Sequence, residues 1–116
     1  MKIQDFAFGS IRIDGATYDY DVVIDQDNVR KRKKKPSKAF RDGFGHTPLS
    51  PKESIPWDCR RLVIGTGANG AMPVMDALKD DAKQRHVDLV ILPTQQAIEE
   101  LRAHPKDTNA ILHVTC

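Results

Sequence analysis

Leu62-Val63-Ile64-Gly65-Thr66-Gly67-Ala68-Asn69-Gly70 decides the fold of this 116-residue chain. Three consecutive apolar residues suit a short strand buried on both faces, and the glycines behind them suit a tight exit from that strand. Pro73 fits a first helical turn, and Val74, Leu78 and Ala82 recur at i, i+4 and i+8, one face of a helix. Val87 to Leu92 reads as a second apolar strand. Thr94 is placed to cap a helix bearing Ala97, Ile98 and Leu101, which Pro105 ends. Ala110 to Cys116 reads as a last strand. Residues 61–116 therefore spell β-α-β-α-β, which implies parallel pairing and right-handed crossovers.

Upstream, the pattern changes to a period of two. Ile11 and Ile13 flank Arg12, and Asp14-Gly15 is a hairpin turn because glycine accepts the positive φ such a turn needs. Tyr18, Tyr20, Val22 and Ile24 alternate with Thr17, Asp19, Asp21 and Val23, which predicts one inward face and one acidic outward face. Asp25 to Asn28 is a polar turn, and Val29 starts a further strand. The fold class expected is a single α/β domain over residues 1–116. It consists of a β-α-β-α-β C-terminal part behind an N-terminal β meander.

Between the two halves lies a basic segment, 30–56, that ends in a Pro/Gly-rich loop. Formal net charge is +2, but it is unevenly distributed. Residues 1–29 hold 2 basic and 6 acidic side chains, residues 30–61 hold 11 and 3, and residues 62–116 hold 5 and 7. The run Arg30-Lys31-Arg32-Lys33-Lys34-Lys35 is the centre of the basic part. Six like charges repel and cannot be buried together. They suit a solvated edge strand, which lysines protect from sheet-to-sheet pairing, or a docking strip for an acidic protein. Phosphate contacts are a third reading, but 6% aromatics leave no stacking platform, so nucleic acid is not the expected partner. Further on, Ser50-Pro51-Lys52-Glu53 has the form of a capping box for a short helix that Pro56 stops.

Gly65 to Gly70 also matches G-x-G-x-x-G between a strand and a helix, where backbone N–H groups can cradle a phosphate. A dinucleotide site needs an acidic residue at the end of the second strand, and Leu92-Pro93-Thr94 has none. About 55 residues of α/β pattern also make only half of a doubly wound domain. Two readings stay open: a tight connection that needs glycine, or a site for a small anion. The second would use Gly65, Thr66, Gly67 and Asn69, with Arg61 or His46 supplying charge or proton transfer. No cofactor is expected.

Other chemistry is sparse. His113 and Cys116, three apart on a strand, would point to opposite faces, and Cys59 lacks a partner at C-x-x-C spacing, so no metal site is expected. Cys59 beside Arg60 and Arg61 reads as an inert, buried thiol rather than a nucleophile. No Ser/His/Asp ordering or G-x-S-x-G elbow appears, and Asp80-Asp81 and Glu99-Glu100 read as solvated helix faces. Two cysteines are too few for a disulfide scaffold, which points to a reducing, cytoplasmic setting. No window approaches a membrane span, and Met1 leads directly into strand-like residues, so neither membrane nor leader is expected.

The stretch Leu62 to Gly67, the Pro-initiated helix, Pro93-Thr94 with Gln96-Ala97, Asn109-Ala110 and the ending Leu112-His113-Val114-Thr115-Cys116 together resemble the Mth-nine-three-eight domain family. Its members include the adipogenesis-associated Mth-type protein and a mitochondrial complex I assembly factor. The resemblance implies a three-layer α/β fold with a mixed sheet and an N-terminal β layer, and assembly or regulatory roles through protein contacts, with no established enzymatic activity or cofactor. A protein partner is therefore the leading expectation, a small anionic ligand the alternative, and a homo-oligomer is left open.

Overall fold

A computed structural model describes residues 1–116. Strands β1 (Ile3–Ala7), β2 (Ser10–Ile13) and β3 (Ala16–Tyr18) form an antiparallel three-stranded sheet. Asp14 and Gly15 both take positive φ at the β2–β3 turn, as the hairpin motif predicts. The chain then leaves this sheet. Tyr18 to Ile24 is not one strand: β4 (Val22–Asp25) starts afresh in a second sheet, with Asp19 to Asp21 as the crossover. Gln26 and Asp27, both at positive φ, turn β4 into β5 (Asn28–Lys31). β5 is an edge strand and carries Arg30 and Lys31.

The second sheet has five strands in the order β5-β4-β8-β6-β7, where β6 is Arg61–Gly65, β7 is Asp88–Leu92 and β8 is Thr108–Leu112. β6 pairs in parallel with both β7 and β8, and β4 pairs antiparallel with β5 and β8, so the sheet is mixed. Helices α2 (Asp76–Gln84) and α3 (Thr94–Ala103) connect the parallel strands. Because β7 and β8 flank β6 on opposite sides, crossovers of one hand place the two helices on opposite faces.

Side chains alternate accordingly. Val22, Ile24, Val63, Ala110 and Leu112 join Ala97, Ile98 and Leu101 of α3 with Ile3, Ile11 and Ile13 of the small sheet. Val23, Leu62, Ile64 and Ile111 point the other way, onto Leu78 of α2 and onto Leu49 and Met72. The five-stranded sheet is thus the middle of three layers. Val23, expected on an outward face, is buried because both faces of this sheet are covered.

Three local expectations are corrected. Ser50 to Glu53 forms a turn without a helix, because the Glu53 carboxylate points inward instead of capping. Regular structure in the loop lies earlier, in a 3-10 turn over Lys35–Phe40 and the one-turn helix α1 (Arg41–Phe44). Thr94 does not cap α3. Its hydroxyl donates to the His113 carbonyl at 2.6 Å and accepts from Gly67 N at 2.8 Å. The last strand stops at Leu112, so His113 to Cys116 run on as a segment outside the ladder. No helix is long and apolar enough to cross a membrane.

Candidate functional site

The basic run does not behave as one surface. Arg30 donates to the Ser54 carbonyl at 2.9 Å, and the Lys31 ammonium lies 5.1 Å from the Tyr20 ring centroid. Lys33, Lys34 and Lys35 are exposed. Arg32 is the exception to the rule that such charges stay in water: it is only 4% exposed. All five of its N–H donors are engaged. Nε and Nη2 reach Glu53 at 2.8 and 2.9 Å, Nη1 reaches Asp21 at 2.9 Å and Met72 Sδ at 3.2 Å, and Nη2 also reaches the Pro48 carbonyl at 3.2 Å. Burial alone would lower the Arg32 pKa, but Glu53 and Asp21 reverse this and raise it, so the guanidinium stays charged. Ser37 donates to Glu53 and shares a 2.6 Å hydrogen bond with Ser50, which fastens the loop to the pair.

Asp21 is the second hub. Its Oδ2 meets both Arg32 and His113 Nδ1, the latter at 2.8 Å, while Oδ1 accepts from Val114 N at 2.9 Å. Burial pushes its pKa up, but His113, Val114 N–H and Arg32 together outweigh that and hold the carboxyl below its usual range. The far nitrogen of His113, Nε2, lies 3.1 Å from Thr115 Oγ1.

Above these residues opens a cleft of about 350 Å³. Lys34, Lys38, Arg41 and His46 line it, together with His113, Thr115 and Cys116. No Asp or Glu side chain lines it. Arg32 sits at its floor, where two carboxylates, Asp21 and Glu53, already engage its single charge. The free positive charge therefore comes from Lys34, Lys38 and Arg41, held around the cleft by the 3-10 turn and α1. Gly45, at φ 75°, ends α1 and turns the chain into His46.

The glycine loop lies next to this cleft, with its N–H groups already bonded within the chain. Ala68 N donates to the Thr115 carbonyl at 2.7 Å. Asn69 N and Ala71 N donate to the Cys116 backbone oxygen at 3.1 and 3.0 Å, and Thr66 N donates to the Leu92 carbonyl at 2.8 Å. Gly67 has φ 107°, and a Cβ there would lie 2.3 Å from the Cys116 carbonyl carbon. A Cβ at Gly65 would meet Thr94 Oγ1 at 2.8 Å. The glycines thus let the strand exit pass close to α3 and receive residues 115–116. Of the residues proposed to assist this loop, His46 faces the neighbouring cleft. Arg61 starts β6, about 13 Å of strand from Gly65, and pairs with Glu100 at 2.9 Å. Glu100 is therefore an ion-pair partner rather than a purely solvated residue. Cys59 is half-buried, and burial raises its thiol pKa, in keeping with an unreactive thiol.

The family described as "Protein of unknown function (DUF498/DUF598)" matches residues 3–103. The chain belongs to this family. Among solved structures, this DUF498/DUF598 member is similar to the conserved hypothetical protein PH1505 from Pyrococcus horikoshii OT3. The two are 27% identical, with a TM-score of 0.84 and 100% of both chains covered. It is also similar to MT938, at 26% identity and TM-score 0.73 over 98% of this chain and 97% of that one. These likenesses agree with the Mth-type resemblance read from the sequence. An outer membrane protein from Bartonella henselae shares the fold at 12% identity, with a TM-score of 0.67 over 98% and 94% of the two chains. No curated protein is matched. Within the DUF498/DUF598 member, Asp21, Arg32, Lys34, Lys38, Arg41, His46 and Glu53 fall inside the matched residues, whereas His113 and Thr115 lie beyond them.

Asp21, Glu53, Lys38, Arg41, His113 and Thr115 were not singled out together by sequence reading. They come from four separate segments, and only the fold brings them to one place. The alternation puts Asp21 on the outward acidic face beside Asp19, whereas the structure buries it against Arg32 and His113.

Proposed function

We propose that this domain is a binding module for an anionic group, received in the cleft ringed by Lys34, Lys38, Arg41 and His46. One observation carries the reading: these cationic side chains surround a concavity lined by no acidic side chain, and none of Lys34, Lys38 and Arg41 forms an ion pair, whereas the buried Arg32 beneath them is engaged by two carboxylates. Unpaired positive charge in a concave site attracts anions and focuses the field on them. The site differs from the glycine-loop cradle expected from the motif, because that loop's N–H groups already hold residues 115–116 and Leu92.

A thermal-shift series with phosphate, sulfate and dicarboxylates at two salt concentrations tests the reading. Stabilisation that fades with salt and is lost in Lys34→Glu and Arg41→Glu supports it. Absence of stabilisation by every anion, or stabilisation indifferent to both reversals, overturns it.

A second reading, docking of an acidic protein surface, is favoured by Lys33 and Lys35. Both are exposed and neither lines the cleft, so they extend the positive charge along its rim. Lys33→Glu and Lys35→Glu should then weaken a protein complex while leaving small-anion stabilisation intact.

A further inference from the structure

A carboxylate, an imidazole and a hydroxyl stand in series at the cleft, the carboxylate buried behind its wall and the other two lining it. Asp21 Oδ2 lies 2.8 Å from His113 Nδ1, and His113 Nε2 lies 3.1 Å from Thr115 Oγ1. The three residues follow the chain order Asp, His, Thr, the first two 92 positions apart. A carboxylate on Nδ1 fixes the tautomer that carries its proton there, leaving Nε2 as an acceptor for the hydroxyl proton. Asp21 is in turn fixed by Val114 N–H and Arg32, so the imidazole is held from behind by a rigid group. His113 and Thr115 both line the cleft, so the hydroxyl end of the series faces the space where Lys34, Lys38 and Arg41 converge.

We propose that Asp21, His113 and Thr115 form a hydrolytic relay for esters whose acyl portion carries a negative charge. The inference rests on the anion-binding reading, since the cationic side chains select the substrate and face its developing oxyanion. Thr115 Oγ1 attacks the ester carbonyl carbon as its proton passes to His113 Nε2. The tetrahedral adduct collapses by breaking the bond to the alcohol oxygen, which takes that proton from His113 and leaves. Water then attacks the acyl-Thr115 ester, giving a proton to Nε2, and Thr115 Oγ1 recovers a proton as the carboxylic acid departs. The sum is ester plus water to acid plus alcohol, with no oxidant or co-reactant. Thr115 and His113 are the catalytic residues, and Asp21 is a positioning residue.

The test uses the full chain with mono-4-nitrophenyl succinate, an anionic ester, and 4-nitrophenyl acetate, a neutral one, alongside thermal shift with succinate. The expected result is a burst of nitrophenolate with the anionic ester and a succinyl group on Thr115 by peptide mass spectrometry. Thr115→Ala should abolish the burst and Thr115→Ser retain it. Asp21→Asn should slow acylation by about 10⁴-fold and alter the pH–rate profile. Thr115 makes one side-chain hydrogen bond, so its variants isolate chemistry from folding. Succinate stabilisation without acylated Thr115, or acylation at Cys116 or a lysine instead, overturns the relay alone. Acylation of Thr115 by both esters equally, without succinate stabilisation, overturns the anion reading and the substrate class but keeps the relay. Neither stabilisation nor acylation overturns both.

Discussion

Arg32 and Glu53 form a two-pronged ion pair, Nε to Oε1 at 2.8 Å and Nη2 to Oε2 at 2.9 Å, with both side chains at most 3% exposed. Removing one partner of a buried pair leaves the other charge without compensation. Glu53→Gln should therefore cost about 3–5 kcal/mol, read by urea unfolding. Arg61→Ala breaks the half-exposed pair with Glu100 and should cost about 1 kcal/mol or less. Equal losses in the two variants would contradict this ranking.

Acid should unfold the domain partly through Asp21. Its folded pKa is held below the unfolded value, so its contribution is fully present above the ordinary carboxylate range. It is lost as the pH falls below about 4 and through the folded pKa. Asp21→Asn should lower stability at neutral pH and flatten the dependence in that acidic window. An unchanged slope of unfolding free energy against pH would show that other carboxylates carry it.

Gly67 is required by two independent constraints: a φ of 107° and a Cβ position 2.3 Å from the Cys116 carbonyl carbon. Gly67→Ala should cost about 2–4 kcal/mol. It should also increase amide exchange at Ala68, Asn69 and Ala71, whose donors are held by residues 115–116. Gly43 has open space around its Cβ position and an ordinary φ, so Gly43→Ala is the control and should be near neutral.

Cys59 should alkylate slowly. Its thiol pKa is raised by burial, with Asp25 and Asp58 adding to the effect and an Asn109 backbone hydrogen bond opposing it. The thiolate is the reactive form, so at neutral pH iodoacetamide should modify Cys59 more slowly than a simple solvent-exposed thiol. Mass spectrometry of labelled peptides over time checks this. A rate equal to that of a free thiol would remove the argument.

The β-α-β-α-β half was legible because Leu62 to Ile64 and the 3.6-residue spacing of Leu78 and Ala82 are local signals. Tyr18 to Ile24 alternates like one strand yet divides between two sheets, because alternation records which side chains are covered, not which sheet covers them. Asp21 marks the change of sheet, and Val23 is buried because α2 and the loop cover the second face. The site was less legible than the fold. Arg32 looked like its neighbours until Asp21 and Glu53 reached it from 11 and 21 residues away. Composition cannot show which of six basic residues will find carboxylates. The mostly apolar run Ala110 to Cys116 predicts His113 on a strand, but the ladder stops one position earlier.

The place of β8 in the five-stranded sheet has a consequence for biosynthesis. β4 and β5 pair locally, and β6 and β7 pair with one another, yet only β8 bridges these two units. A nascent chain that has emerged through α3 holds two half-sheets whose facing edges, β4 and β6, both offer unpaired backbone. Such edges can be captured by other chains until the missing strand is delivered. Thr108–Leu112 acts as the keystone, and folding of the middle layer must wait for it.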